Sequence, residues 1–180
     1  MKDMDPAERN AQQTYALLYA GQQDLSQAAF YADHLQSKGW YLEPWEGSWQ
    51  DYLHQAAYVT SMVISYSRPF TESRGWPKFP KRILRVLDTE QKQLHRHLLD
   101  LRNEVYAHTD IAARKNRPIT LGGQPSAIEV IPPLKCSADE LMQVRILIRD
   151  ISLEIERKLA ELAETVAKEH FDADGHPKET

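Results

Sequence analysis

The chain has 180 residues, 42% of them hydrophobic and 27% charged, with a mean hydropathy of −0.58. That suffices for one domain with a buried core, and it excludes an integral membrane protein, a collagen-like chain and a wholly disordered one. The single cysteine, Cys136, excludes an intrachain disulfide and a cysteine-based zinc site; it follows two prolines and reads as structural.

The longest apolar stretch, Tyr58–Tyr66, is interrupted by Thr60, Ser61 and Ser65 and is too short to span a bilayer. The first twenty residues carry Asp3, Asp5 and Glu8 and no apolar core of a signal peptide, so a reducing, cytoplasmic location with no membrane partner is expected. The net charge of −4 argues against a generally basic nucleic-acid binder. Its distribution is uneven: residues 68–118 hold twelve Lys and Arg against six Asp and Glu, whereas residues 1–67 hold three against eight and residues 119–180 seven against twelve. This pattern fits either a basic patch on an acidic body or salt bridges between segments that pack together.

Glycine and proline divide the chain into helical runs. A first helix starts at Asp5-Pro6-Ala7-Glu8, a capping pattern, and runs to about Ala20. Gly21 is expected to break it, with a second helix from Asp24 to about Ser37 and a stop at Gly39. The next helix opens at Ser48-Trp49-Gln50-Asp51, with Trp49, Leu53, Ala56, Ala57, Thr60, Val63 and Ile64 as its apolar face. It ends at Arg68-Pro69, because the residue before proline avoids helical geometry.

Residues 69–80 hold three prolines and a glycine and read as a mobile loop. A long helical stretch from Lys81 to about His108 follows, interrupted at Asp88-Thr89, with Leu94, Leu98, Leu101 and Val105 as its core stripe. Segments near Ile119–Leu121 and Ala127–Ile131 are extended and pair as a hairpin around Gly122-Gly123. The last helix starts with the capping box Ser137-Ala138-Asp139-Glu140 and continues to about His170. The expected architecture is all-α: a four- to five-helix up-down bundle with a short β-hairpin near 117–132, one domain over residues 1–171, and a tail over 172–180.

Phosphate-binding glycine loops, dinucleotide fingerprints, GxSxG and HExxH are missing. Asp51-x-x-His54 resembles half of a di-metal carboxylate–histidine site, but no second pair accompanies it, and His95 and His97 point in different directions; solvated histidines account for these positions, and neither a metal nor another cofactor is expected. Trp40, Tyr41, Trp45, Trp49 and Tyr52 either stack bases or plug the bundle end.

The segment Leu101-Arg102-Asn103-Glu104-Val105-Tyr106-Ala107-His108-Thr109-Asp110 closes a long amphipathic helix. It resembles the signature of the HEPN superfamily, helical domains common among RNA-cleaving toxins and abortive-infection proteins: an arginine, a polar residue, and a histidine after four to six intervening residues. Arg102, Asn103 and His108 fit, with five residues between Arg102 and His108. Tyr66-Ser67-Arg68-Pro69-Phe70 is also similar to the abortive-infection branch. The likeness covers residues 48–110, and the N-terminal third by helix pattern alone.

The resemblance implies a HEPN-like fold and metal-independent RNA cleavage in a phage-defence or toxin-type system, with no cofactor. The ribose 2′-hydroxyl attacks the neighbouring phosphate; His108 serves as acid or base, Arg102 stabilises the charge on phosphorus, and Asn103 orients the phosphate or the imidazole. It implies a homodimer too, since one histidine per chain cannot serve as acid and base together, and it suggests an antitoxin or regulatory protein as a further partner. Arg68, Lys92, Arg96, Arg114 and Lys115 are the expected RNA-binding residues, and Glu104 and Asp110 the residues that tune the site. The family members modified by a partner nucleotidyltransferase carry a tyrosine two positions after the histidine; here that position is Asp110, so this regulation is in doubt. On one straight helix Arg102 and His108 stand about 120° apart, so either the helix end unwinds or a partner chain completes the site.

Other readings of the same residues are open. A non-catalytic dimer of this type binds nucleotide, RNA or a protein partner. In a purely structural bundle His108 caps a helix end, and Arg102 pairs with Glu104, Asp100 or an acidic residue of the last helix.

Overall fold

A computed structural model of the chain describes residues 5–42, 46–72, 77–103, 115–130 and 136–170. The elements are α1 (Pro6–Lys38), α2 (Trp49–Ser67), α3 (Thr89–Leu101), β1 (Lys115–Leu121), β2 (Gln124–Val130) and α4 (Ala138–His170). Short 3₁₀ turns occupy Arg68–Phe70 and Lys81–Val86. Among the described residues the fold is therefore mainly helical, with one two-stranded antiparallel sheet.

Local chemistry sets the helix ends. The Asp5 carboxylate accepts from the Ala7 amide and Pro6 takes the first helical position of α1. Gly39, with φ of 64°, closes α1 in the left-handed conformation and returns its N–H to the carbonyls of Leu35 and Gln36. Ser48 caps α2 through the Asp51 amide, and Asp88 and Gln91 form a reciprocal capping box at α3. Ser137 and Glu140 form another at α4: the Ser137 hydroxyl accepts from the Glu140 amide at 3.2 Å, and the Ser137 amide donates to the Glu140 carboxylate at 2.7 Å.

Gly21 does not break the first helix, which runs unbroken for 33 residues. The glycine is buried, and a β-carbon there would lie 3.3 Å from the Phe79 ring and 3.4 Å from Pro69. It serves close approach to the 69–80 segment, and flanking helix formers carry the backbone through it. The ends of that segment are anchored: Pro69 is buried, Phe70 and Phe79 meet edge to face at 4.9 Å, and Lys78 pairs with Glu72 at 2.6 Å.

α1 runs antiparallel to both α2 and α4. Asp24 meets Arg68 and His34 stacks on Tyr58 along α2; Gln22 meets Glu156, while Asp33 and Gln36 meet Arg145 along α4. The core reads directly from helical spacing: Leu18, Gly21, Leu25, Ala28, Ala32 and Leu35 on α1, and Leu141, Val144, Ile148, Ile151 and Ile155 on α4, recur every three or four residues. Each fully buried Leu or Ile contributes about 1.5–3 kcal/mol of hydrophobic stabilisation. Ile83, Leu87 and Leu98 close the core from the segment after the loop.

The buried stripe of α2 is Gln55, Val59, Met62 and Tyr66, not the expected face. Trp49 and Leu53 are exposed, and Val63 is the expected member that is fully buried. Gln55 accounts for the rotation. Its carboxamide accepts from the Leu42 amide at 2.8 Å and donates to the Leu42 carbonyl at 3.1 Å, so a polar side chain ties α2 to the chain leaving α1.

The hairpin forms as expected, with longer strands. Leu121 pairs with Gln124, and Gly122 and Gly123, with φ of 56° and 78°, supply the two positive angles of a type I′ turn. Ile131 and the tail from 171 lie outside the described residues. No helix among the described residues is long and apolar enough to cross a membrane.

Candidate functional site

The site is built where the end of α2 meets α3. Tyr66 and His95 are both buried, and the phenol oxygen lies 2.7 Å from the imidazole Nδ1. Burial pushes the phenol up and the imidazole down, so both are uncharged at neutral pH. Phe70 meets the His95 ring edge to face at 4.7 Å. The next residue, Ser67, donates from its hydroxyl to the Leu98 carbonyl of α3 at 3.4 Å. His95 is thus a core residue, where a solvated one was expected; its spacing with Leu98 on α3 was the available signal.

The same Leu98 carbonyl, together with that of Leu99, accepts the backbone N–H of Arg102. Regular α-geometry ends at Leu101, and Arg102 and Asn103 lie in a wider π-type turn. The helix expected to reach His108 therefore changes geometry six residues before it. A side-chain hydroxyl on a carbonyl of the ladder is one of the physical causes of such a change.

Arg102 is half-buried and Asn103 exposed. The Arg102 guanidinium donates to the Asn103 side-chain oxygen at 2.9 Å, one of the five N–H donors it carries. Among the described residues its guanidinium meets Asn103, while Glu104, one of the acidic partners of the structural reading, lies outside them. His108, Glu104, Asp110 and Arg114 lie outside the described residues. Lys115 opens β1.

Lys92 and Arg96 are exposed one turn apart on α3, and the Arg96 Nε donates to the Lys92 carbonyl at 3.2 Å. Lys81, Arg82 and Arg85 are exposed on the preceding 3₁₀ segment. Arg68 is held by Asp24 at 2.9 Å. Arg82 lowers the pKa values of Glu154 and Glu161 on α4, behind the larger hydrogen-bond effects of Arg157 on Glu154 and Lys158 on Glu161. Arg68 thus pairs with an acidic residue of a packed helix, as the salt-bridge reading of the charge pattern expects, while Lys92 and Arg96 are exposed.

Asp51, His54 and Trp40 are engaged within the fold. The Asp51 carboxylate takes a hydrogen bond from the Ser48 hydroxyl at 2.6 Å, which holds its pKa below the usual carboxylate value, and His54 lies against Trp40. No three His, Cys, Asp or Glu side chains among the described residues gather as a metal site. Trp40 packs with His34, His54 and Tyr58 where α1 meets α2, and the exposed Trp49 stacks on Tyr52. Tyr41 is exposed, and Trp45 lies outside the described residues. Burial, then Glu140, pushes the Cys136 thiol up to about 12, which leaves it a poor nucleophile.

No family model matches the chain, and no curated protein or solved structure matches it either.

Proposed function

We propose that this protein is a metal-independent endoribonuclease of the HEPN type, with Arg102, Asn103 and His108 as its reacting constellation. The observation that carries the reading is the Arg102–Asn103 pair: a guanidinium held by a neighbouring carboxamide in a non-α turn at the end of a helix fixed to the core. A guanidinium presents several N–H donors in a plane, a geometry matched to phosphate oxygens, and it stabilises charge that builds on phosphorus in the transition state. His108 supplies the proton transfers, and pairing of two chains brings the second histidine that acid and base require.

RNA is the proposed substrate, with Lys92 and Arg96 on its approach. An antitoxin-like regulator fits a nuclease that must be restrained.

The test is RNA cleavage in EDTA by wild type, Arg102→Ala and His108→Ala, each checked for folding and dimerisation. Both variants are expected to lose about 10²–10⁴-fold in rate. Undiminished cleavage by folded His108→Ala overturns the assignment. The exposed Lys92 and Arg96 favour a second reading, a non-catalytic RNA- or nucleotide-binding dimer. It predicts salt-sensitive RNA binding without cleavage.

A further inference from the structure

We propose that Tyr66, Ser67 and His95 are positioning residues for the Arg102–Asn103 turn, coupling its geometry to the end of α2. The inference rests on the reading of that turn as a phosphate-handling site. Two consecutive residues of α2 reach two points on α3. Tyr66 binds the His95 ring at 2.7 Å, inside the core. Ser67 binds the Leu98 carbonyl at 3.4 Å. The first contact fixes the rotation of α3, because a buried hydrogen bond with a ring packed by Phe70 tolerates little displacement. The second acts on the backbone directly, since the Leu98 carbonyl also receives the Arg102 N–H.

Two donors then share one acceptor. The Arg102 amide divides its bond between Leu98 and Leu99, and the chain leaves the α-ladder at that residue. His95 stands seven residues before Arg102, so the two lie on nearly the same face of α3, about 10 Å apart along the axis. None of the three positioning groups need touch substrate to determine where the guanidinium stands.

The experiment compares wild type with Ser67→Ala and Tyr66→Phe, using the full chain. Amide and guanidinium NMR resonances of Arg102 and Asn103 report the turn, and RNA cleavage kinetics report its use. Both variants are expected to move those resonances and to lower kcat by about tenfold at nearly unchanged KM, since a misaimed group weakens the transition state more than binding. Resonances that stay in place in both folded variants overturn the positioning role, whatever the kinetics. Moved resonances in a protein whose wild type cleaves and binds no RNA uphold the positioning and remove the nuclease reading. Should Ser67→Ala fail to fold, Tyr66→Phe decides alone, because it removes one oxygen and keeps the ring.

Discussion

The Tyr66 hydroxyl and the His95 Nδ1 share a hydrogen bond of 2.7 Å across the junction of α2 and α3. Tyr66 is fully buried and His95 nearly so. Removing the phenol oxygen strands a ring nitrogen that water scarcely reaches. Tyr66→Phe is therefore expected to cost about 1–3 kcal/mol. Urea unfolding with an unchanged slope would measure it, and a loss near zero would mean that the bond contributes nothing net.

The same pair gives the stability a sign in pH. Burial depresses the folded-state pKa of His95 below its ordinary 6.5. Below that value the unfolded chain takes up a proton that the folded chain resists, so stability falls as pH drops from about 6.5 toward the folded pKa. His95→Gln is expected to flatten that part of the curve. Parallel curves for both proteins in denaturant titrations between those limits would contradict it.

Much of this architecture was legible in the sequence. The capping groups at Asp5, Ser48 and Ser137 are local chemistry, and the structure realises each, while Asp88, read only as an interruption, caps α3. Gly122-Gly123 announced its turn for the same reason. Tertiary packing decided the failures. Gly21 looks like a helix breaker until Phe79 and Pro69 are seen to press against it. The buried face of α2 was misread because Gln55, a polar residue, is buried by its bonds to the Leu42 backbone. Arg102 and Asn103 were legible as a pair, whereas their non-α turn was not, since its proposed cause lies 35 residues away at Ser67.

Gly21 carries a stability prediction of its own. A valine there must push aside the Phe79 ring and Pro69, which stand 3.3 and 3.4 Å from the first added carbon. Gly21→Val is expected to destabilise by about 1–3 kcal/mol through overpacking. Thermal unfolding at or above the wild-type midpoint would show that the 69–80 segment yields.

In the Asp24–Arg68 pair Arg68 is exposed and Asp24 half-buried, so the ion pair is open to solvent on one side and contributes about 1 kcal/mol or less. Asp24→Asn is expected to leave stability nearly unchanged while releasing Arg68. If Arg68 contacts RNA, affinity rises and its salt dependence steepens. Unchanged affinity and salt slope would remove Arg68 from the proposed RNA-binding residues.

The most direct measurement is mass spectrometry of RNA ends after incubation with the protein in EDTA. Attack by the 2′-hydroxyl predicts 2′,3′-cyclic phosphate and 5′-hydroxyl ends with wild type, and neither with His108→Ala. Ends bearing 5′-phosphate and 3′-hydroxyl, or the same cyclic ends from folded His108→Ala, would contradict the account.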